Sequence, residues 1–107
     1  MKLITAYVRT QRAAQVVRAL YDAGVRGLTA CMVHGMSGET SIFLHGLYPF
    51  EPANLSESVK IEVICEDELV DGIVTAVAQA ARTGYPGDGI IAVQEVQSMV
   101  RIRDISA

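Results

Sequence analysis

A chain of 107 residues with a net charge of −3 and a pI near 5.2 has room for one core, residues 1–107 forming a single domain, and lacks the basic footprint of a nucleic-acid binder. Half of its residues are hydrophobic and its mean hydropathy is +0.30, yet no apolar run approaches the ~20 residues that insert across a bilayer. Met1–Arg9 carries charge at both ends and does not read as a signal peptide. A cytoplasmic protein is therefore expected, with its apolar surplus hidden in an oligomer interface.

In residues 3–8, Ile4, Ala6 and Val8 alternate with Leu3, Thr5 and Tyr7. Few of the six are polar, which predicts a central strand covered on most of both faces. From Thr10 the period changes. Ala13, Val16, Val17 and Leu20 fall at helical spacing, Thr10 can cap the start, and Gly24 can take the left-handed conformation at the end. A second strand is expected from about Gly27 to His34. The stretch Gly35–Ser58 then holds three glycines, two prolines and only short apolar patches, a connection too long to be filler in so small a domain.

Order returns at Val59, where Val59, Ile61 and Val63 alternate with Lys60, Glu62 and Ile64. Glu66, Asp67 and Glu68 open a second helix with acids that suit its dipole, and Leu69, Val70, Ile73, Val74 and Val77 form its buried stripe. Gly89–Val96 reads as a fourth strand and Met99–Arg103 as a short fifth. Two strand–helix–strand halves predict an α+β ferredoxin-like plait with a short C-terminal strand. Cys31 and Cys65 are expected to be buried, inert thiols. His34 and His45 read as strand-end and loop residues rather than metal ligands.

The sharpest local signal is Thr83-Gly84-Tyr85-Pro86-Gly87-Asp88-Gly89, between the second helix and the fourth strand. Three glycines in six residues let successive backbone N–H groups converge, a nest suited to phosphate oxygens or an ordinary glycine-rich turn. It is not a Walker loop, and it precedes a strand, unlike a dinucleotide fingerprint. Arg101 and Arg103, two residues apart in the expected fifth strand, would point two guanidinium groups to one face. That arrangement suits a polyphosphate or a charged edge strand. No nucleophile–base pair stands out, although Asp88 and Glu62 could position a water.

Four segments in order resemble the PII signal-transduction family. They are Ala23–Thr29, Val59–Val63, Ala81–Gly84 with Gly87–Gly89, and Val100–Arg103. The resemblance implies a homotrimeric regulator that binds an adenine nucleotide (ADP, AMP or ATP) between subunits and is not an enzyme. It implies that Thr29 and the backbone near Ile64 meet the adenine, that Glu62 lies near the ribose, and that Gly35 lines the cleft. Amides of Gly87, Asp88 and Gly89 would hold phosphates together with Arg101 and Arg103. A T-loop at about 36–58 would dock on an unidentified target protein, with Phe43, Tyr48 and Phe50 as its contact residues.

The chain departs from the family pattern where Ile90 and Ser58 replace lysines, Glu39 a glutamine and Glu51 a tyrosine. These departures resemble the divergent PII-like branch, including carboxysome-associated members, and imply bicarbonate rather than 2-oxoglutarate as coeffector. The alternative functions are a slow nucleotide hydrolase and a trimeric metal-binding protein of the same plait.

Overall fold

The computed structural model describes residues 1–36 and 55–106. Strand β1 (Lys2–Arg9) leads through a 3₁₀ turn (Thr10–Arg12) into helix α1 (Ala13–Asp22). Strands β2 (Thr29–Met36) and β3 (Leu55–Cys65) follow. A second 3₁₀ turn (Asp67–Leu69) opens helix α2 (Val70–Ala81), and β4 (Gly89–Glu95) closes the sheet. The strand order is β2-β3-β1-β4 and every pairing is antiparallel. Two interleaved βαβ halves with both helices on one side make the α+β ferredoxin-like plait.

Strand alternation sorts the side chains of the sheet into two faces. Ile4, Ala6 and Val8 share one face with Ile61 and Val63, and these pack with Val16 and Leu20 of α1 and Ile73, Val77 and Ala81 of α2. The opposite face carries Leu3, Thr5 and Tyr7 beside Lys60, Glu62 and Ile64, and beside Ile90, Ala92 and Gln94. No helix of the chain covers that face among the described residues. Ile64 is 47% exposed there and Ile90 65%.

The helix ends follow the backbone more than the side chains. Gly24 (φ 95°) and Gly84 (φ 90°) take the left-handed region expected past each helix. Thr10 does not cap α1: it sits inside the 3₁₀ turn, and its hydroxyl donates to Gln11 Oε1 instead. Asp67 likewise precedes α2 and pairs with the Met1 amino group at 2.6 Å. Cys65 is buried, and that burial pushes its thiol pKa up. Cys31 is exposed, contrary to expectation, because its strand alternation turns it to the face without helices.

Three boundaries differ from the sequence reading. β2 starts at Thr29 rather than Gly27, and runs on to Met36, paired with Leu55. β3 begins four residues before Val59, because Ser56, Glu57 and Ser58 pair with Gly35, His34 and Val33. Their polarity suggested loop, but partner backbone satisfies their amides as well as it would those of apolar residues. The connection between strands is thus 37–54; Phe43, Tyr48 and Phe50 lie outside the described residues, as do Glu39, His45 and Glu51. The expected fifth strand is absent. Ile102–Asp104 is a 3₁₀ turn, and Ile102 is 92% exposed. A strand needs a neighbour's amides, and 99–103 has no paired edge among the described residues.

Leu20 is fully enclosed between α1 and the sheet. Leu20→Ala should cost about 3–5 kcal/mol, the range for a large-to-small change that leaves a cavity. Denaturant unfolding should show the midpoint falling with an unchanged slope.

Candidate functional site

The glycine loop between α2 and β4 is held by Asp88. Its carboxylate accepts hydrogen bonds from the Thr83 hydroxyl, the Thr83 amide at 2.9 Å and the Gly84 amide at 3.4 Å. Arg9 Nε donates to the same carboxylate at 3.1 Å, and Arg9 Nη2 donates to the Pro86 carbonyl at 2.6 Å. Thr83 Oγ1 also accepts from the Tyr85 amide at 3.1 Å. The Thr83 hydroxyl first, then the Thr83 amide, Arg9 and Gly84, hold Asp88 well below the ordinary carboxylate pKa. A carboxylate so engaged is a loop staple and a poor general base.

Gly87 (φ 94°) and Gly89 (φ 116°) supply the turns. A Cβ on Gly89 would lie 1.8 Å from the Tyr7 carbonyl oxygen. The close approach of β4 to β1 therefore excludes every side chain at that position.

A cleft of about 740 Å³ opens elsewhere, between the start of β2, the end of β3 and the C-terminal segment. Thr29, Glu62, Ile64 and Arg101 all line it, beside an apolar floor that includes Leu3, Leu69, Ile73 and Met99. Four residues expected at the nucleotide thus line one cleft. Arg103 does not join them: it is exposed and lies 3.8 Å from Asp104, because the 3₁₀ turn breaks the alternation that would have aligned it with Arg101.

The remaining expected residues sit at the other end of the sheet. Gly89 is opposite Val8 of β1, whereas Ile64 is opposite Leu3. Those positions are five residues apart along one strand, about 17 Å at ~3.4 Å per residue. Gly35 also lies toward the Val8 end, since its neighbour Val33 pairs with Ser58 and Ser58 with Arg9. Within one chain, then, Gly35 and Gly87–Gly89 form one group, and Thr29, Glu62, Ile64 and Arg101 form another.

Residues 1–105 match the family model for nitrogen regulatory protein P-II. The chain is 37% identical to the nitrogen regulatory protein P-II of Azospirillum brasilense, an alignment spanning 96% of this chain and 92% of the relative. It is 36% identical to that of Microchaete diplosiphon and 35% identical to that of Mesorhizobium japonicum, each over the same shares. The chain belongs to the P-II family.

P-II proteins are signal-transduction regulators, and the plait found here is the P-II plait. Sequence reasoning missed Arg9 as a partner of the glycine loop, and it placed Thr83 in that loop without its bond to Asp88. Arg9 lies 79 positions from Asp88, so only the β1–β4 register brings them together. Thr83 offered a local signal, because a hydroxyl five residues before an aspartate can close a side-chain-linked turn.

Gly89→Ala should destabilise the fold by about 3 kcal/mol or more, since its φ and the Tyr7 carbonyl both oppose a side chain. Thermal unfolding measures it, and an unchanged midpoint would contradict the geometry. The Asp88 staple sets an acid dependence. Its folded pKa lies below the ordinary 3.8, so its stabilisation is complete above that value and is lost as pH falls beneath it. Protection of the Thr83 and Gly84 amides from exchange, relative to their intrinsic rates, should hold near pH 3.8 and fall in stronger acid, while Asp88→Asn should lower it at neutral pH.

Proposed function

We propose that this P-II chain is an adenine-nucleotide sensor whose complete site forms between neighbouring subunits of a homotrimer. The observation that carries the reading is the division of the site residues into two groups, one lining the cleft and the other at the Val8 end of the sheet. The cleft offers an apolar floor with Thr29 and Glu62 for a base and ribose, and Arg101 for the first phosphate. The loop offers amides at Gly87, Asp88 and Gly89 for the phosphates beyond. A second copy, set so that its loop faces the first copy's cleft, would unite them. The sheet face carrying Ile64 and Ile90 would be covered by that assembly.

Phosphate chemistry favours the shorter nucleotides in this reading. Ile90, next to the loop, is an exposed apolar residue and gives no cation to a third phosphate. ADP or AMP then satisfies the available donors, and ATP adds charge without a partner. Bicarbonate as coeffector belongs to the same proposal, and rests on Ile90, Ser58 and Glu39 standing where a basic or amide residue would favour 2-oxoglutarate. The loop and the inner ends of β2 and β3 share one end of the sheet. Nucleotide occupancy would therefore be felt at the roots of the segment 37–54, which in this reading signals to a target protein.

Calorimetric titration with AMP, ADP and ATP, with and without magnesium and bicarbonate, tests the proposal. ADP should bind, ATP should gain less than about tenfold over it, and Arg101→Ala should weaken ADP about tenfold or more. Light scattering should give three times the 11.5 kDa chain mass. A stable monomer that binds ADP unaided would overturn the intersubunit site, and absence of nucleotide binding would overturn the sensor.

A further inference from the structure

The loop Thr83–Gly89 contains no lysine or arginine, and its one charged side chain is the carboxylate of Asp88. By itself it would meet an anion with amides on one side and a negative charge on the other. Among the described residues, Arg9 is the side chain from outside the loop that hydrogen-bonds to it, and it does so at two points. Its Nε–H neutralises Asp88, and its Nη2 takes the Pro86 carbonyl. The guanidinium also runs beneath Gly87, where a Cβ would come within 3.3 Å of Nη2.

The second contact has a geometric consequence. The Pro86 carbonyl and the Gly87 N–H belong to one planar peptide unit, and in a trans peptide they point in opposite directions. Holding the carbonyl toward Arg9 turns the Gly87 N–H away from it, to the far side of the loop. A fork of two N–H groups fixes that plane in a way a point charge does not.

We propose that Arg9 is the positioning residue of the phosphate loop: it cancels the Asp88 charge and orients the Gly87 amide toward a bound phosphate. This rests on reading the loop as the phosphate site. Arg9 reaches the ligand through Asp88 and Pro86, so its removal should be felt by phosphates and not by the base.

The test compares wild type, Arg9→Ala and Arg9→Lys, titrated with ADP and with adenosine, alongside the NMR chemical shift of the Gly87 amide in the ligand-free protein. Arg9→Ala should lose roughly tenfold or more in ADP affinity, the scale of one charge-assisted hydrogen bond, with adenosine affinity unchanged. Arg9→Lys, which keeps the charge but loses the fork, should fall between the two. The Gly87 amide shift should move in Arg9→Ala and partly return in Arg9→Lys. Arg9→Ala binding ADP as wild type does, or losing adenosine to the same extent, overturns the proposal. Should wild type bind neither ligand, the sensor reading fails by itself. The Gly87 amide shift then still decides whether Arg9 orients the loop, and equal shifts in wild type and Arg9→Ala overturn it. Should Arg9→Ala not fold, the ADP-to-adenosine ratio of Arg9→Lys decides, with a ratio equal to wild type overturning it.

Discussion

Strand β1 hydrogen-bonds to β3 on one side and β4 on the other, so each site residue on those strands is placed by its register against β1. Register has little freedom here. A slip of one residue would carry Ile4, Ala6 and Val8 out of the core and turn Leu3, Thr5 and Tyr7 toward the helices. Burial of Ile4 and Ala6 to within 2% therefore also sets where Glu62 and Ile64 stand in the cleft. The Lys2–Glu95 pair, 2.6 Å apart and directly opposite in β1 and β4, agrees with that register. It is a surface contact of small energy beside the apolar packing.

The same strand limits what the glycine loop can be. β4 enters the sheet at Gly89 against the Tyr7 carbonyl, closer than any side chain permits. The chain must then return from α2 in seven residues, with left-handed turns at Gly84, Gly87 and Gly89. A loop with so many permissive residues loses much entropy on ordering. Asp88 offsets that cost by collecting donors from Thr83, Gly84 and Arg9. Within this loop the glycines permit the path, and the aspartate and arginine select it.

Much of this was legible in the sequence, and the limits follow from physics. Alternation in 3–8 and helical spacing in 13–20 report burial directly, so β1 and α1 were readable, as was the plait. Ser56–Ser58 look like loop because side-chain polarity says nothing about whether a partner strand is present. Met99–Arg103 looks like strand for the converse reason: its sequence alternates, and no partner edge is present among the described residues. Thr29, Glu62, Ile64 and Arg101 line one cleft. Arg103 does not, because its placement depended on that missing strand. Arg9 was invisible, since its role arises from a contact 79 residues away.

Electrostatics narrows how a P-II chain of this composition can recognise an anion. With a net charge of −3, the long-range field gives a nucleotide no attraction, and at physiological salt it fades within about 8 Å in any case. Recognition has to be short-range: oriented amides and individual guanidinium groups, each effective only when its own counter-charge is satisfied elsewhere. If those donors are divided between two copies, binding and assembly become linked, because a ligand that occupies only the assembled form stabilises it by mass action. The reciprocal also holds, and the contacts that cover the face of Ile64 and Ile90 would raise nucleotide affinity by the same free energy. A substitution elsewhere on that sheet face, such as at Ala92, would then change nucleotide affinity through assembly alone. Extra affinity gained in this way would depend on protein concentration, whereas affinity lost at Arg101 or the glycine loop would not.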